Sequence, residues 1–282
     1  MRILVTGAGG FTGRPLAEAL RLRGDEVHPL QADLRNPGAV AAEVAAVRPE
    51  AAVHLAALAF VASSDFESFY AINQIGTFHL LDALAQHARG IPVLLASSAQ
   101  VYAADLHGLI DEEARIEPAN HYGLSKRAME MGARLWRDRL RLIITRPFNY
   151  TGVGQEERYL VPKIVSHFAR RAAVIELGNI DIRRDFGDVR SVCEAYAALV
   201  HTPAAEGIVN VSTGTLSSIR DVIAALSQMT GHGMEITVNP AFVRQNDIPV
   251  LGGDNARLRG LLPDWSPRPL ADTLQWMLAA RT

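Results

Sequence analysis

The sequence predicts an α/β protein built on a doubly wound parallel sheet, and three observations predict this class. An apolar run over residues 3–5 stands directly before glycines at positions 7, 10 and 13. An amphipathic segment over 14–23 follows, with leucines on one face and charged side chains on the other. Further apolar strands then alternate with helical segments, which implies parallel strands with helices on both faces of the sheet. A strand, a glycine turn and a helix in this order are typical of the Rossmann type of sheet.

The elements can be taken in chain order. We predict strands over 26–30, 51–57, 91–96 and 142–145, and helices over 37–47, 65–88 and 122–139. Pro37 is placed at the start of its helix, and Asp65 is a candidate cap for the long helix that follows it. After Pro147 the elements become shorter and more mixed, which predicts a smaller α/β lobe in the C-terminal half.

The predicted domain boundaries follow from this change in the length and type of the elements after Pro147. Residues 1–147 are predicted to form the NAD(P)-binding Rossmann domain, with a helix over 188–202 returning to it. Residues 148–187 and 203–282 are predicted to form the substrate-binding lobe. The cleft between the two units is the expected ligand site.

Composition excludes several other classes of protein. The chain has 282 residues and a net charge of −2, so nothing in its charge favours nucleic acid or an anionic membrane as a partner. Its single cysteine, Cys193, cannot form an internal disulfide, and no apolar stretch is long enough to span a bilayer. We find no histidine spacing typical of a metal site. We therefore expect a cytoplasmic protein without a metal.

The glycine turn predicts a site for a diphosphate at the N-terminus of a helix. Gly7 would allow the tight turn, Gly10 the approach of the phosphate, and Gly13 the packing of helix on strand. Gly9 also provides a G-x-G spacing, and an ordinary strand–helix turn can carry the same glycines. The rest of the chain has to decide between these interpretations.

A tyrosine and a lysine one helical turn apart are the candidate catalytic pair. Tyr122 and Lys126 share a helix face, and a nearby ammonium is expected to lower the pKa of a phenol. Ser98, at the end of a neighbouring strand, could donate a hydrogen bond to the same substrate oxygen. The set suits proton transfer to a carbonyl oxygen or from an alcohol beside a nicotinamide. The alternative for the pair alone is a solvated helix face.

At this point the chain resembles the extended short-chain dehydrogenase/reductases that act on nucleotide-activated sugars. The resemblance covers nearly the whole chain and is closest to the branch handling GDP-6-deoxy-4-keto-mannose. The segments that carry it are 6–13, 33–34, 54–57, 73–77, 97–102, Tyr122 with Lys126, 146–149, 177–189 and 243–249.

The resemblance implies a role for each matching residue. Ser98, Tyr122 and Lys126 would be catalytic. The cofactor would be bound by Gly7, Gly10, Phe11, Thr12, Gly13, Asp33, Leu34, Leu55, Ala56, Ala57, Asn73, Ser97, Tyr122, Lys126, Pro147 and Phe148. The sugar nucleotide would be bound by Ser98, Asn149, Lys163, Arg184, Arg244 and Asp247. An ion pair of Arg183 or Arg184 with Asp181, Asp185 or Asp188 is the alternative for these arginines.

The residues after Ser98 narrow the choice of reaction. Sugar-nucleotide dehydratases carry a carboxylate there, whereas Ala99 and Gln100 cannot take a proton at neutral pH. GDP-fucose synthases use a cysteine where Ala99 stands and a histidine where we align Tyr159. We therefore predict reduction of a 4-keto sugar, with 4-epimerisation, or a UDP- or dTDP-linked substrate, as alternatives. A dinucleotide-sensing protein without catalysis is a more distant alternative, against which the intact Tyr–Lys pair and Ser98 argue.

Cofactor preference and assembly are the remaining expectations. Gln31 stands where NAD-preferring relatives usually carry an acidic residue, and Arg14 or Arg35 could reach a 2′-phosphate. NADP(H) is therefore favoured, with NAD(H) also possible. Relatives form dimers through helices equivalent to 65–88 and 121–139, so we expect a homodimer. Phe66, Phe69, Phe78 and Trp136 fit either that interface or internal packing.

Overall fold

A computed structural model describes residues 1–59, 65–239, 242 and 249–281. The strands are β1 (Arg2–Thr6), β2 (Glu26–Pro29), β3 (Ala51–His54), β4 (Pro92–Ala96), β5 (Gly108–Ile110), β6 (Arg141–Pro147), β7 (Tyr150–Thr151), β8 (Val174–Leu177), β9 (Arg183–Arg184), β10 (Gly187–Asp188), β11 (Gly207–Val211), β12 (Ser217–Ser218), β13 (Glu235–Val238) and β14 (Val250–Gly253).

The α-helices are α1 (Gly13–Leu22), α2 (Pro37–Val47), α3 (Phe66–Ser68), α4 (Thr77–His87), α5 (His121–Ala133), α6 (Leu160–Ala169), α7 (Val189–His201), α8 (Ile219–Thr230), α9 (Ala256–Leu261) and α10 (Leu270–Ala279). A π-helix over Phe69–Gly76 joins α3 to α4, and short 3-10 turns span Ala99–Val101 and Arg134–Trp136. Within the described ranges, none of these helices has the length and apolar character to cross a membrane.

Six parallel strands form the central sheet in the order β11-β6-β4-β3-β1-β2. The predicted α/β fold is confirmed. Because the strands are parallel, the residues that follow β1, β3, β4 and β6 meet at one edge of the sheet, where ligands bind in this class of fold.

Helices cover both faces of this sheet and bury a separate core on each. On one face α1 and α7 pack against the strands, and their core includes Leu16, Leu20 and Tyr196. On the other face α2, α4 and α5 pack against the strands, with Leu80, Leu84 and Met129 among the fully buried residues.

The smaller lobe has a core of its own. Its sheet runs in the order β12-β9-β14-β5, and β8 pairs with β13 beside it. Helices α6, α8 and α10 contribute Ile164, Leu226 and Leu274 to the apolar cluster that holds the lobe together. The pairing of β7 with β10 connects this lobe to the end of β6.

The two units exchange segments, which corrects the predicted boundaries. Residues 203–282 were assigned entirely to the lobe, but β11 pairs with β6 in the central sheet, and Leu258 of α9 lies in the core of that sheet. In the other direction, β5 lies within 1–147 in sequence yet pairs with β14 in the lobe. Helix α7 packs its buried face on the central sheet.

The predicted helix over 65–88 is interrupted by the π-helix. Asp65 caps its start, accepting a hydrogen bond from the Ser68 amide at 3.1 Å. Gly76, at the end of the π-helix, lies so close to Leu34 that a β-carbon would be 2.8 Å from the Leu34 Cβ. The periodicity of the sequence gave no sign of this widened turn.

Candidate active site

The glycine turn between β1 and α1 is packed too closely for larger residues. Gly7 has φ of +69°, and a β-carbon there would lie 2.9 Å from the Ala56 nitrogen. A β-carbon at Gly13 would overlap the Gly7 carbonyl oxygen, whereas Gly9 has nothing within 4 Å. The required spacing is therefore that of Gly7, Gly10 and Gly13, and Gly10 donates its amide to Gly7 O at 3.0 Å.

The N-terminus of α1 is suited to a diphosphate. The Thr12 side chain makes no capping bond to the helix. Its hydroxyl lies 2.9 Å from the Tyr150 hydroxyl instead, and the Phe11 ring stacks on Tyr150 with centroids 5.9 Å apart. The start of α1 therefore has no side-chain cap, and an uncapped helix N-terminus is suited to a bound pyrophosphate. These residues fit a dinucleotide cofactor.

At the end of β2, the residues expected near the adenosine are held by charged neighbours. Asp33 forms a bidentate pair with Arg35, and Leu34 is buried. Glu43, which the sequence did not single out, accepts hydrogen bonds from the amides of Gln31 and Ala32 at 2.8 Å. Of the two arginines considered for a 2′-phosphate, Arg35 is thus paired, and Arg14 donates to Gly9 O at 2.9 Å.

A buried chain of hydrogen-bonded polar groups supports the loop that follows β3, where the cofactor is expected. Thr77 donates to Asn73 O, so His54 Nε2 must carry the proton it gives to Thr77 Oγ1, at 2.8 Å. His54 Nδ1 then accepts from Thr6 Oγ1 at 2.7 Å. Burial, with a smaller effect of Lys126, lowers the pKa of His54 to about 3, so the ring is neutral. The histidine is a structural group at the strand end.

Asn73 fixes the loop that carries Leu55, Ala56 and Ala57. Its side chain is fully buried and bonds both backbone groups of Leu58, at 2.9 and 3.0 Å, and Ser125 Oγ at 3.1 Å. These contacts occupy the side-chain amide, so Asn73 holds the loop expected beside the cofactor through Leu58.

The three candidate catalytic residues lie together. Ser98 follows β4, and its side chain lies near enough to the Tyr122 phenol to affect the pKa of that group. Lys126, only 2% exposed, donates from Nζ to Ala96 O at 2.7 Å. An ammonium has three donors, so this bond leaves Lys126 able to bind ribose hydroxyls.

The start of α5 places Tyr122 beside Ser98. Asn120 caps the helix by accepting from the Gly123 amide at 2.8 Å, and it donates to Gln100 Oε1 at 3.1 Å. A β-carbon at Gly123 would overlap the Gln100 carbonyl oxygen. The glycine therefore lets the helix approach the turn that follows Ser98.

The pKa of Tyr122 moves in the direction opposite to the prediction. Burial raises the pKa of the phenol above its ordinary value, and the nearby Ser98 side chain offsets this only in part. The expectation that the Lys126 ammonium lowers it is wrong for this structure, because burial sets the direction of the shift and Lys126 is not among its causes. Burial also lowers the pKa of Lys126, to about 8. Tyr122 is therefore a protonated phenol at neutral pH.

Behind this site lies an ion pair that sequence reasoning missed. Glu130 and Arg146 are 0% and 1% exposed and form a bidentate pair at 2.8 and 2.9 Å. Ser97, expected to touch the cofactor, donates from Oγ to Glu130 Oε1 at 2.6 Å. The spacing of Tyr122, Lys126 and Glu130 at every fourth position was the available signal.

The described residues expected to bind the sugar nucleotide follow β4 and β6 or lie in α6 and β9. Pro147 and Phe148 are buried at the end of β6, and Asn149 is exposed with its carbonyl accepting from the Gly187 amide. Lys163 Nζ donates to Glu176 O at 2.7 Å and lies 4.7 Å from the centre of the Phe242 ring. Arg184 lies in β9. Arg244 and Asp247 lie outside the described residues.

The carboxylates proposed as alternative partners of the arginines have other contacts. Asp181 pairs with Arg220 and Asp188 with Arg190. Asp185 is buried and accepts from the amides of Thr213 and Gly214 at 2.9 and 3.0 Å. In the part of the chain that the structure describes, no cluster of side chains could hold a metal ion.

Comparison with known proteins identifies the class of protein. Residues 3–212 match the NAD dependent epimerase/dehydratase family, so the chain belongs to it. It is an NAD(P)-dependent oxidoreductase of the extended short-chain dehydrogenase/reductase type and acts on nucleotide sugars.

Three similar proteins narrow the branch. The chain is 37% identical to GDP-6-deoxy-D-talose 4-dehydrogenase of Aggregatibacter actinomycetemcomitans, over 93% of this chain and 91% of that protein. It is 31% identical to GDP-6-deoxy-D-mannose reductase of Pseudomonas aeruginosa, over 95% and 98%. The structure of RMD from Pseudomonas aeruginosa complexed with NADPH superposes with a TM-score of 0.90 at 30% identity, covering 99% of this chain and 97% of that one.

Proposed function

We propose that the protein is an NAD(P)H-dependent reductase of a nucleotide-linked 4-keto-6-deoxy-hexose, with GDP-4-keto-6-deoxy-mannose as the favoured substrate. The observation that carries the proposal is the meeting of Ser98, Tyr122 and Lys126, all three buried, at the end of β4. Both relatives named above act on GDP-linked 6-deoxyhexoses, which supports the choice of nucleotide and sugar.

Each catalytic residue has one task in this reaction. When bound, the nicotinamide supplies the hydride that reduces the C4 carbonyl of the sugar. Ser98 holds the C4 oxygen by a hydrogen bond, and Tyr122 gives its proton to that oxygen as negative charge develops on it. A phenol whose pKa is raised by burial is protonated before the reaction and so is suited to act as the acid. Lys126 binds the cofactor ribose through the ammonium donors that its bond to Ala96 O leaves free.

The surroundings of Ser98 argue against dehydration and against epimerisation at C3 and C5. Ala99 carries no ionisable group, and Gln100 is bonded through its amide oxygen to Asn120. Tyr159, where we align the histidine of GDP-fucose synthases, is close enough to Tyr122 to raise the pKa of that phenol slightly. A second acid/base pair for such reactions is therefore not formed by these residues, which favours simple reduction at C4.

The decisive experiment is a substrate panel. GDP-, dTDP-, UDP- and CDP-linked 4-keto-6-deoxy sugars are each offered with NADPH and with NADH, and cofactor oxidation is followed. We expect the GDP sugar to be reduced fastest. Proton NMR of the product then gives its configuration at C4, where the talose and mannose series differ. Conversion of a 4-hydroxy sugar by protein that retains bound NAD, without consumption of added cofactor, would identify a 4-epimerase instead.

The sugar nucleotide is proposed to bind through Asn149, Lys163, Arg184, Arg244 and Asp247. A diphosphate requires converging cations, and a guanidinium offers it two parallel donors. Replacing Arg184 by Gln should raise the KM for the sugar nucleotide about tenfold with little change in kcat. Arg183, its exposed neighbour in β9, is the matched control, because its side chain donates to Leu216 O and is not among the residues proposed to bind the diphosphate. Equal KM values for both variants would remove Arg184 from the site.

NADPH is the proposed cofactor. Gln31 at the end of β2 does not repel a 2′-phosphate, and Arg14 is exposed beside the glycine turn. Glu43, bonded to the amides at 31 and 32, opposes this preference through its negative charge. Replacing Arg14 by Gln should weaken NADPH more than NADH, since NADH lacks the 2′-phosphate. Equal weakening of both would contradict a role for Arg14 in the preference.

We also propose a homodimer. Phe78 packs on Trp136 within the chain and Phe69 is buried, so these residues belong to internal packing. On α5 and the turn after it, Leu124, Met131 and Leu135 are 43%, 57% and 77% exposed. Their spacing of seven and four residues puts them on one face, as a helical interface needs. Replacing Met131 and Leu135 together by Glu should convert a dimer to a monomer in light scattering; an unchanged mass would exclude this face.

A further inference from the structure

Glu130 is the one carboxylate on the helix face that carries the candidate catalytic pair. Tyr122, Lys126 and Glu130 stand at successive fourth positions of α5, so their side chains lie along one side of the helix. Lys126 and Glu130 are 2% and 0% exposed. A carboxylate without access to water needs charge and hydrogen bonds from the protein to remain ionised.

Both oxygens of Glu130 are bonded. Oε1 accepts from Ser97 Oγ at 2.6 Å and from Arg146 Nε at 2.9 Å. Oε2 accepts from Arg146 Nη2 at 2.8 Å and from Arg127 Nη1 at 3.2 Å. The carboxylate therefore connects α5 with the ends of two strands.

These strand ends hold the walls of the site. Ser97 directly precedes Ser98, and Arg146 directly precedes Pro147. Strands β4 and β6 are in register with Ala96 opposite Thr145, and the Ser97 amide donates to Thr145 O at 2.8 Å. One carboxylate thus fixes the helix of Tyr122 and Lys126 relative to Ser98 on one strand and to the expected nicotinamide wall on the next.

The Glu130 carboxylate also affects the protonation of Lys126. From β3, His54 faces Lys126 as a neutral ring. From α5, the negative charge of Glu130 favours the ammonium and works against the burial that lowers the pKa of Lys126. Glu130 is itself faced by Arg127 from α5 and by Arg146 from β6. Arg146 also donates hydrogen bonds from Nη1 to the Tyr102 hydroxyl and to Glu112 O, at 3.1 and 3.3 Å.

We propose that Glu130 is a positioning residue of the active site, whose carboxylate holds α5 against the strand ends bearing Ser98 and Pro147 and supplies the charge that keeps Lys126 an ammonium. This inference rests on the proposed function only in taking Lys126 as the residue that binds the cofactor ribose. A purely structural role, as the counter-ion of Arg146, would affect stability alone, since removing one partner of a buried pair leaves an unpaired charge.

The test is the pH dependence of cofactor binding, which needs no sugar substrate. The Kd of NADPH is measured by fluorescence between pH 6 and pH 9.5, and the series is repeated with NADH. In the parent protein we expect the affinity to fall as the pH rises through about 8, because Lys126 then loses its proton. In Glu130→Gln the midpoint of this fall should lie about one pH unit lower, equivalent to a tenfold change in the proton affinity of Lys126.

Two further variants keep the test decisive if Glu130→Gln does not fold. Glu130→Asp retains the charge and should keep the parent midpoint. Arg127→Gln removes a positive charge on the partly exposed side of Glu130 and should move the midpoint upward. The inference is overturned if Glu130→Gln keeps the parent midpoint, or if Arg127→Gln lowers it. Should the parent reduce none of the keto sugars while the midpoints shift as stated, the substrate assignment fails and this inference stands.

Discussion

The Tyr150 hydroxyl lies 2.9 Å from Thr12 Oγ1, so the segment after β6 is bonded directly to the glycine turn after β1. Stacking of Tyr150 on Phe11 strengthens the same junction. The junction joins the cofactor-binding turn to the chain that leads into the smaller lobe. Sequence reasoning did not select Tyr150, because nothing in its neighbourhood along the chain indicates a partner 138 positions away.

We first predict that this bond contributes to stability. Tyr150→Phe keeps the ring and its stacking but removes the hydroxyl, and should lower the free energy of unfolding by about 1 kcal/mol. Thr12→Val should do the same. In the double variant the two losses should not add, because both remove one interaction. Urea unfolding of the four proteins gives this cycle, and fully additive losses would show that the two hydroxyls do not interact.

The second prediction concerns the close approach at Gly123. Gly123→Ala must push α5 away from the Gln100 carbonyl and so separate Tyr122 from Ser98. We expect kcat to fall at least about tenfold, as for a loss of general-acid geometry. Gly132→Ala, in the same helix, is the control, since its β-carbon would meet the Phe78 ring far from the site. It should lower stability more than activity; similar kcat losses in both variants would contradict the argument.

Removal of the phenol is the third prediction. Tyr122→Phe should reduce turnover at least about a hundredfold, because the general acid is lost. Cofactor binding should remain nearly intact, since Lys126 and the glycine turn are unaffected. Single-turnover reduction and NADPH titration measure the two effects separately. Unchanged turnover would exclude Tyr122 as the acid.

The fourth prediction is a pH effect at Asp185. Burial raises the pKa of this carboxyl from 3.8 to about 6, although the amides of Thr213 and Gly214 partly oppose the shift. Between these values the folded chain binds more protons than the unfolded chain, so the free energy of unfolding falls as the pH rises. The contribution is present below pH 3.8 and lost above about pH 6, and it amounts to about 3 kcal/mol.

Asp185→Asn should remove this dependence. The difference in unfolding free energy between parent and variant should therefore change by about that amount between pH 4 and pH 7, in favour of the variant at the higher pH. Taking the difference cancels the opposite contribution of His54, whose pKa is lowered to about 3 by burial and, less, by Lys126. A difference that is flat across the range would show that Asp185 titrates normally.

Local patterns in the sequence were sufficient to predict the central sheet and to select Ser98, Tyr122 and Lys126, which the structure brings together. The Asp65 cap, the glycine turn and the helix of Tyr122 depend on residues close in sequence, and the structure contains each of them. The direction of the Tyr122 pKa shift was predicted wrongly. Residue spacing indicates which charges are near a group but gives no information on its burial. In this site burial raises the pKa of the Tyr122 phenol.

Features that depend on distant pairing could not be read from the sequence. The Glu130–Arg146 pair joins a helix to a strand, and each residue alone looks like an ordinary surface charge. Strands β5 and β11 are three and five residues long, so their patterns do not say which sheet they join. The π-helix leaves the apolar spacing of its neighbours nearly unchanged.

The exchange of β5 and β11 between the two units has a consequence for engineering sugar specificity. No single cut divides this polypeptide into a nucleotide-binding half and a sugar-binding half. Each half would contain a strand that belongs to the sheet of the other. A chimera that borrows the specificity of a relative must transplant several separate stretches at once, together with the contacts at every crossing. Recombination at one breakpoint should therefore yield insoluble chains rather than enzymes of new preference.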